Sequence, residues 1–102
     1  MSLEPFFKPR SVAIVGASRT KGKVGYEVLS AMVRAGYEGD LYAVNPSADE
    51  ILGVKCYPDL KDIGKTPDLV VVVVAAEKVV DVIRTCAQLG VRAAIVISSG
   101  FK

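Results

Sequence analysis

Apolar residues in this chain alternate between short continuous runs and stretches where they recur every three or four positions. Ser11-Val12-Ala13-Ile14-Val15-Gly16 is a run of the first kind, closed by glycine. It predicts a strand buried on both faces, as in a parallel sheet. Ala17 to Lys23 is polar and predicts a loop. From Val24 to Ala35 the apolar positions Val24, Val28, Leu29, Met32 and Val33 fall on one helical face, and Gly36 predicts the helix C-cap. Glu38-Gly39-Asp40 predicts a turn. Leu41-Tyr42-Ala43-Val44 predicts a second strand, stopped at Asn45-Pro46 because a residue before proline is held out of the helical region.

The segment Ile51 to Tyr57 predicts a short strand, and Asp59 to Ile63 a single helical turn. Leu69 to Ala75 is the most strongly β-branched run and predicts a third long strand. Glu77 opens a helix whose face carries Val79, Val82, Ile83 and Cys86, with an acid where the helix dipole is positive. Gly90 predicts its cap, and Val91 to Ser98 a last strand. Apolar strands alternating with amphipathic helices predict an α/β fold with a parallel sheet covered on both faces. Right-handed crossovers and short links make it a Rossmann-like, doubly wound, mostly parallel sheet in three α/β/α layers. The chain stops directly after a strand, where a closing helix and a further strand are expected. That reads as a C-terminally truncated domain, the alternative being that four or five strands suffice.

The 102 residues fit one domain, and an apolar share of 51% is ample for one core. No segment reaches the roughly 18 apolar residues of a membrane span. No long apolar stretch opens the chain, so neither a leader nor a membrane partner is expected. Cys56 and Cys86 lie in apolar surroundings and read as reduced core cysteines of a cytoplasmic protein. The chain has no histidine, which excludes Ser-His and Cys-His catalysis within it and makes a zinc site improbable.

Charge refines this reading. The net charge is +2, but residues 1–25 carry +4 and the remainder −2. Lys8, Arg10, Arg19, Lys21 and Lys23 cluster beside a glycine loop, which suits a compact anionic ligand rather than nucleic acid; ordinary solvated lysines are the alternative. In the loop itself, Gly16 at a strand end permits a sharp turn, and Ala17 and Ser18 are small enough for a ligand to approach the main chain. The following helix presents N–H groups to an anion. Arg19, Lys21 and Lys23 add charge suited to phosphate, and Gly25 permits close helix–strand packing. The pattern is not Gly-x-Gly-x-x-Gly, because Ser18 and Lys21 stand where glycine is required. It is not a Walker A loop either. A tight βα turn with no ligand remains open. After the second strand an NAD-binding domain places an acid for the adenine ribose. Here Asn45-Pro46 follow Val44 and the first acid is Asp49, which weakens an NAD reading and leaves room for a phosphorylated ribose.

Three ordered segments carry a family resemblance: Phe6 to Ser18, Gly36 to Pro46, and Gly53 to Tyr57 leading into Pro67-Asp68-Leu69-Val70. Together they resemble the CoA-binding domain that opens the ADP-forming acetyl-CoA (acyl-CoA) synthetases, related to the succinyl-CoA synthetase α subunit, over nearly the whole chain from Leu3. The resemblance implies coenzyme A lying across the carboxyl ends of the strands. Gly16, Ala17, Ser18 and Arg19 would line its phosphate or adenosine portion. Lys23 adds a cation at the same loop. Val44, Asn45 and Pro46 would border the adenine and ribose. Val74, Ala75 and Ala76 would face the ligand, with Ser98, Ser99 and Gly100 near the thiol-bearing arm. Where the family often has Val-Pro-Ala after the fourth strand, this chain has Val74-Ala75-Ala76.

By the same resemblance, the parent enzyme interconverts acetyl-CoA, ADP and phosphate with acetate, ATP and CoA. It uses a histidine in a phosphohistidine domain and an ATP-grasp domain, neither of which this chain contains. The partners implied are those domains or subunits, with the chain itself supplying CoA binding and no catalytic residue. Two other classes stand beside this: a CoA-binding-type regulatory domain of a protein lysine acetyltransferase, and an NAD(H)-binding redox sensor.

Overall fold

The structure, a computed structural model, describes residues 7–97. Six strands form one sheet: β1 (Ser11–Val15), β2 (Asp40–Val44), β3 (Glu50–Ile51), β4 (Val54–Tyr57), β5 (Leu69–Val72) and β6 (Ala93–Val96). Two helices, α1 (Val24–Arg34) and α2 (Ala76–Leu89), and a 3-10 turn at Leu60–Ile63 complete the described elements. The sheet order is β3-β4-β2-β1-β5-β6, all parallel except the β3–β4 pair. The expected Rossmann-like, mostly parallel sheet is therefore present.

Alternation along β1 explains the three layers. Val12 and Ile14 point to one face and pack with Leu29 of α1, with Val28 and Met32 alongside. Ala13 and Val15 point to the other and pack with Cys86 of α2 and with Leu60 and Ile63 of the 3-10 turn. Ile14, Leu29, Val12, Val70 and Val72 are fully buried, each worth about 1.5–3 kcal/mol of apolar burial. The chain leaves β1 towards β2 on one side and returns to β5 on the other. The carboxyl end of β1 thus lies at the point where strand order reverses, the usual ligand crevice of this architecture.

Both helices end alike. Gly36 and Tyr37 N–H donate to the carbonyls of Val33 and Met32 (3.1 and 3.2 Å), and Gly90 and Val91 N–H to those of Ala87 and Cys86 (3.2 and 3.0 Å). These paired bonds satisfy carbonyls that a helix end otherwise leaves open. The second pair corrects the last strand: Val91 closes the helix, so pairing begins at Ala93 rather than Val91. The expected strand Leu69 to Ala75 also shortens. Val73 N–H still donates to Val15 O (2.7 Å), but the sheet ends at Val72 and residues 73–75 turn into α2. The segment 51–57 yields two strands rather than one, because Leu52 and Gly53 both take positive φ (53° and 79°) and fold it into a hairpin. Ile83, expected on the buried face of α2, is exposed; Val82, Cys86 and Leu89 pack on the sheet instead.

Candidate functional site at the carboxyl end of the sheet

The turn after β1 is packed too tightly to accept a side chain. Gly16 has φ +96°, and a Cβ there would overlap the carbonyl of Val73, while a Cβ on Gly25 would overlap the carbonyl of Gly16. Gly16 N–H donates to Val44 O at 3.2 Å. The glycines thus press the β1 turn between β2, the segment after β5 and the first turn of α1, and Ala17 is buried beneath them. The packing expected of Gly25 is the packing observed.

Asn45 does more than end β2. Its Nδ2 donates to Ala17 O at 2.8 Å, and its Oδ1 accepts Ser47 N–H at 2.7 Å. One side chain therefore joins the β2 end to the β1 turn and also shapes the bend that follows it.

Beside this junction opens a cleft of about 390 Å³. Of the residues singled out in the sequence, Gly16, Ala17, Val44, Asn45, Pro46 and Val74 line it. Ser18, Arg19 and Lys23 do not. Ser18 Oγ accepts Thr20 N–H at 3.0 Å, and Arg19 and Lys23 stand exposed along the loop leading to α1, with Lys23 at the N-cap of that helix. Ala75 is the N-cap of α2 and Ala76 its first residue, next to the cleft but outside its lining. Ser98, Ser99 and Gly100 lie outside the described residues.

The opposite wall escaped the sequence reading. Pro58, Asp59 and Leu60 reach the cleft from the β4 end, and Lys78, Asp81 and Thr85 from α2. The α2 positions follow helical spacing, together with Val82, and form the border of that helix's amphipathic face. Spacing alone therefore gave a signal for them. Nothing local gave one for Asp59.

Charge is divided between two places. Within the cleft, Lys78 stands with Asp59 and Asp81 around a mainly apolar floor that includes Val15, Val44, Leu60 and Val82. Asp81 is 81% exposed and accepts from Arg84 Nη1 at 3.3 Å. Asp59 is held differently: its Oδ1 accepts Lys61 N–H at 3.0 Å at the start of the 3-10 turn. Ala75, capping α2, offers no side-chain hydrogen bond to the helix end, and its carbonyl accepts Lys78 N–H at 2.9 Å. Outside the cleft, Arg19, Lys21 and Lys23 form no ion pair among the described residues, whereas Glu27 Oε2 accepts Gly22 N–H at 3.1 Å.

Both cysteines are buried, which favours the protonated thiol at neutral pH. Burial pushes the Cys56 thiol up, Asp49 and Glu50 add to this, and Arg19 opposes it. Burial likewise raises Cys86. The two sit in the clusters on opposite faces of the sheet and are free thiols. Among the described residues no group of three metal-ligating side chains occurs, and no helix is long and apolar enough to cross a membrane.

Comparison with known proteins bears on this geometry. The family model of the CoA binding domain matches residues 10–102. The chain is 44% identical over 99 residues to ADP-forming acetate–CoA ligase II of Archaeoglobus fulgidus, a match covering 97% of this chain and 15% of that protein. It is 42% identical over 105 residues to the α subunit of ADP-forming acetate–CoA ligase I of Pyrococcus furiosus, covering 99% and 23%. The solved apo structure of the dinucleotide-forming acetyl-coenzyme A synthetase 1 of Ca. Korarchaeum cryptofilum superposes with a TM-score of 0.92 at 42% identity, covering 98% of this chain and 22% of that one. The chain thus spans less than a quarter of the length of each of these proteins.

Proposed function

Because this chain belongs to the CoA binding domain family, we propose that it binds coenzyme A at the cleft beside Gly16 and serves as the CoA-binding part of an ADP-forming acyl-CoA synthetase. The observation that carries the reading is the cleft's place: it opens where strand order reverses, between the carboxyl ends of β1 and β2 and the start of α2. The apolar floor suits the uncharged parts of the ligand. The cations of Arg19, Lys21 and Lys23 on the adjoining loop suit its phosphates. A cleft of about 390 Å³ takes only part of so long a molecule, so the ligand extends from it across the loop.

The role of this chain is to hold and orient CoA. It has no histidine to carry a phosphoryl group. In the proposed parent reaction acetyl-CoA, ADP and phosphate give acetate, ATP and CoA. The phosphohistidine and ATP-grasp parts supply the chemistry, in the same chain or in a partner subunit of a cytoplasmic enzyme. Calorimetric titration of the chain with CoA, dephospho-CoA and NAD tests the binding step. Preferential binding of CoA, weakened by Arg19→Ala, supports the reading. Binding of NAD without CoA overturns it.

A further inference from the structure

Asp59 gives the cleft a feature that its family membership does not assign. We infer that the carboxylate of Asp59 selects a 6-amino purine over a 6-oxo purine in this cleft, an inference that rests on the CoA reading and deepens it. Three observations lead there. First, the floor is mainly apolar, which suits a flat ring better than a hydrated phosphate. Second, Asp59 is pre-oriented: its main chain begins the 3-10 turn, where its carbonyl accepts Asp62 N–H at 3.0 Å, and its Oδ1 is committed to Lys61 N–H. Among the described residues Oδ2 has no hydrogen-bond partner, which leaves one fixed acceptor for a ligand N–H. Third, the other cleft acid is engaged elsewhere: both carboxylates are exposed, but Asp81 is shared with Arg84 Nη1 at 3.3 Å, whereas Asp59 forms no ion pair among the described residues.

An acceptor in this position pairs with the exocyclic amino group of adenine. A 6-oxo purine presents an oxygen there, so two acceptors would face each other with no proton between them. Asp59 is exposed in the free chain; a bound 6-oxo purine would displace water from its carboxylate without replacing the hydrogen bond, whereas a 6-amino purine replaces it. Asn at this position tests the logic directly. Its Oδ1 can keep the bond to Lys61 N–H, so the 3-10 turn retains its cap. Its Nδ2 then stands where Oδ2 stood and turns the acceptor into a donor.

The test is titration of the chain with adenosine 3′,5′-bisphosphate and inosine 3′,5′-bisphosphate, which differ at purine C6, alongside CoA. The wild-type chain is expected to prefer the adenosine compound by about ten-fold or more. Asp59→Asn is expected to abolish or reverse that preference with an unchanged circular dichroism spectrum, and Glu38→Gln, at an exposed carboxylate outside the cleft lining, to leave it in place. Equal affinity of the wild type for the two bisphosphates overturns the inference, as does an Asp59→Asn chain that keeps the adenosine preference. A 2′-deoxyadenosine bisphosphate bound as weakly as the inosine compound by the wild type, and no more weakly than the adenosine compound by Asp59→Asn, also overturns it, because the carboxylate would then be reading the ribose. In these three outcomes CoA still binds and the CoA reading stands. A folded wild-type chain that binds neither CoA nor the bisphosphates overturns both.

Discussion

The side-chain amide of Asn45 donates to the carbonyl of Ala17 at 2.8 Å and so ties the end of β2 to the turn that follows β1. Both residues line the cleft, and the bond sets the distance between two of its walls. Asn45→Asp replaces the donor with a second acceptor facing the Ala17 carbonyl. The expected cost is about 1–3 kcal/mol of folding stability, read as a lower urea midpoint with an unchanged slope. CoA affinity is expected to fall as well. An Asn45→Asp chain as stable as the wild type would show that the bond is idle.

The turn at Gly16 gives a sharper contrast. An alanine Cβ there meets the Val73 carbonyl, and the backbones of residues 16 and 73 are both held in place by hydrogen bonds. Gly16→Ala therefore has to displace the segment after β5 or the turn itself, and a loss of about 3 kcal/mol or more is expected. Gly53 also has positive φ, at +79°, but nothing lies within 4 Å of an added Cβ. Gly53→Ala is expected to cost only about 1 kcal/mol, the backbone part alone. Thermal unfolding of the two variants separates close packing from backbone conformation. Equal losses would show that the Val73 contact relaxes freely.

The long elements were legible because each is written within a single stretch of chain. Val12 to Val15 and Leu69 to Val72 are continuous apolar runs, and α1 and α2 carry helical spacing. Their ends were less legible, because the boundary of a strand depends on where its neighbour stops. Val73 has the same β-branched character as Val72, yet the chain turns there to begin α2. For the site, Gly16, Val44 and Asn45 were readable as residues at the ends of strands. Asp59 was not. The sequence shows it fifteen residues beyond Val44, and only the parallel placement of β4 beside β2 brings it to the same cleft. Arg19 and Lys23 were read from their proximity in sequence to Gly16; the structure places them on the exposed loop leading to α1, outside the cleft lining.

The thiols set an alkaline limit on stability. Burial raises both Cys56 and Cys86 above the ordinary thiol value of 9.0. The unfolded chain therefore loses these protons at lower pH than the folded one does. Their stabilising contribution is fully present below 9.0 and is lost as pH rises through the higher folded-state values. Tyr37 acts in the same direction, raised above 10.0 by burial and then by Asp68 and Asp40. The urea midpoint is expected to be flat from neutral pH to the region of 9.0 and to fall beyond it. A thiol reagent at neutral pH is expected to modify the cysteines only after denaturant is added. Rapid labelling of the native chain would contradict the buried placement of both.

The division of charge predicts two kinds of cation effect on CoA binding. Lys78 is the cation in the cleft lining, placed with Asp59 and Asp81, whereas Arg19, Lys21 and Lys23 lie on the adjoining loop. If the phosphates cross that loop, Arg19→Ala weakens CoA more than dephospho-CoA. Lys78→Ala, acting on the part of the ligand that the two compounds share, weakens both alike. A loss of about three- to ten-fold is expected for each, the scale of one exposed charge-assisted contact. The Arg19 effect is expected to shrink as salt rises from 0.05 to 0.5 M, because screening over about a Debye length acts most on exposed charges. Calorimetry on the two variants with the two ligands reads all four affinities. Equal weakening of CoA and dephospho-CoA by Arg19→Ala would move the 3′-phosphate away from the loop. A Lys78→Ala chain with full affinity would show that the cleft holds its ligand without that cation.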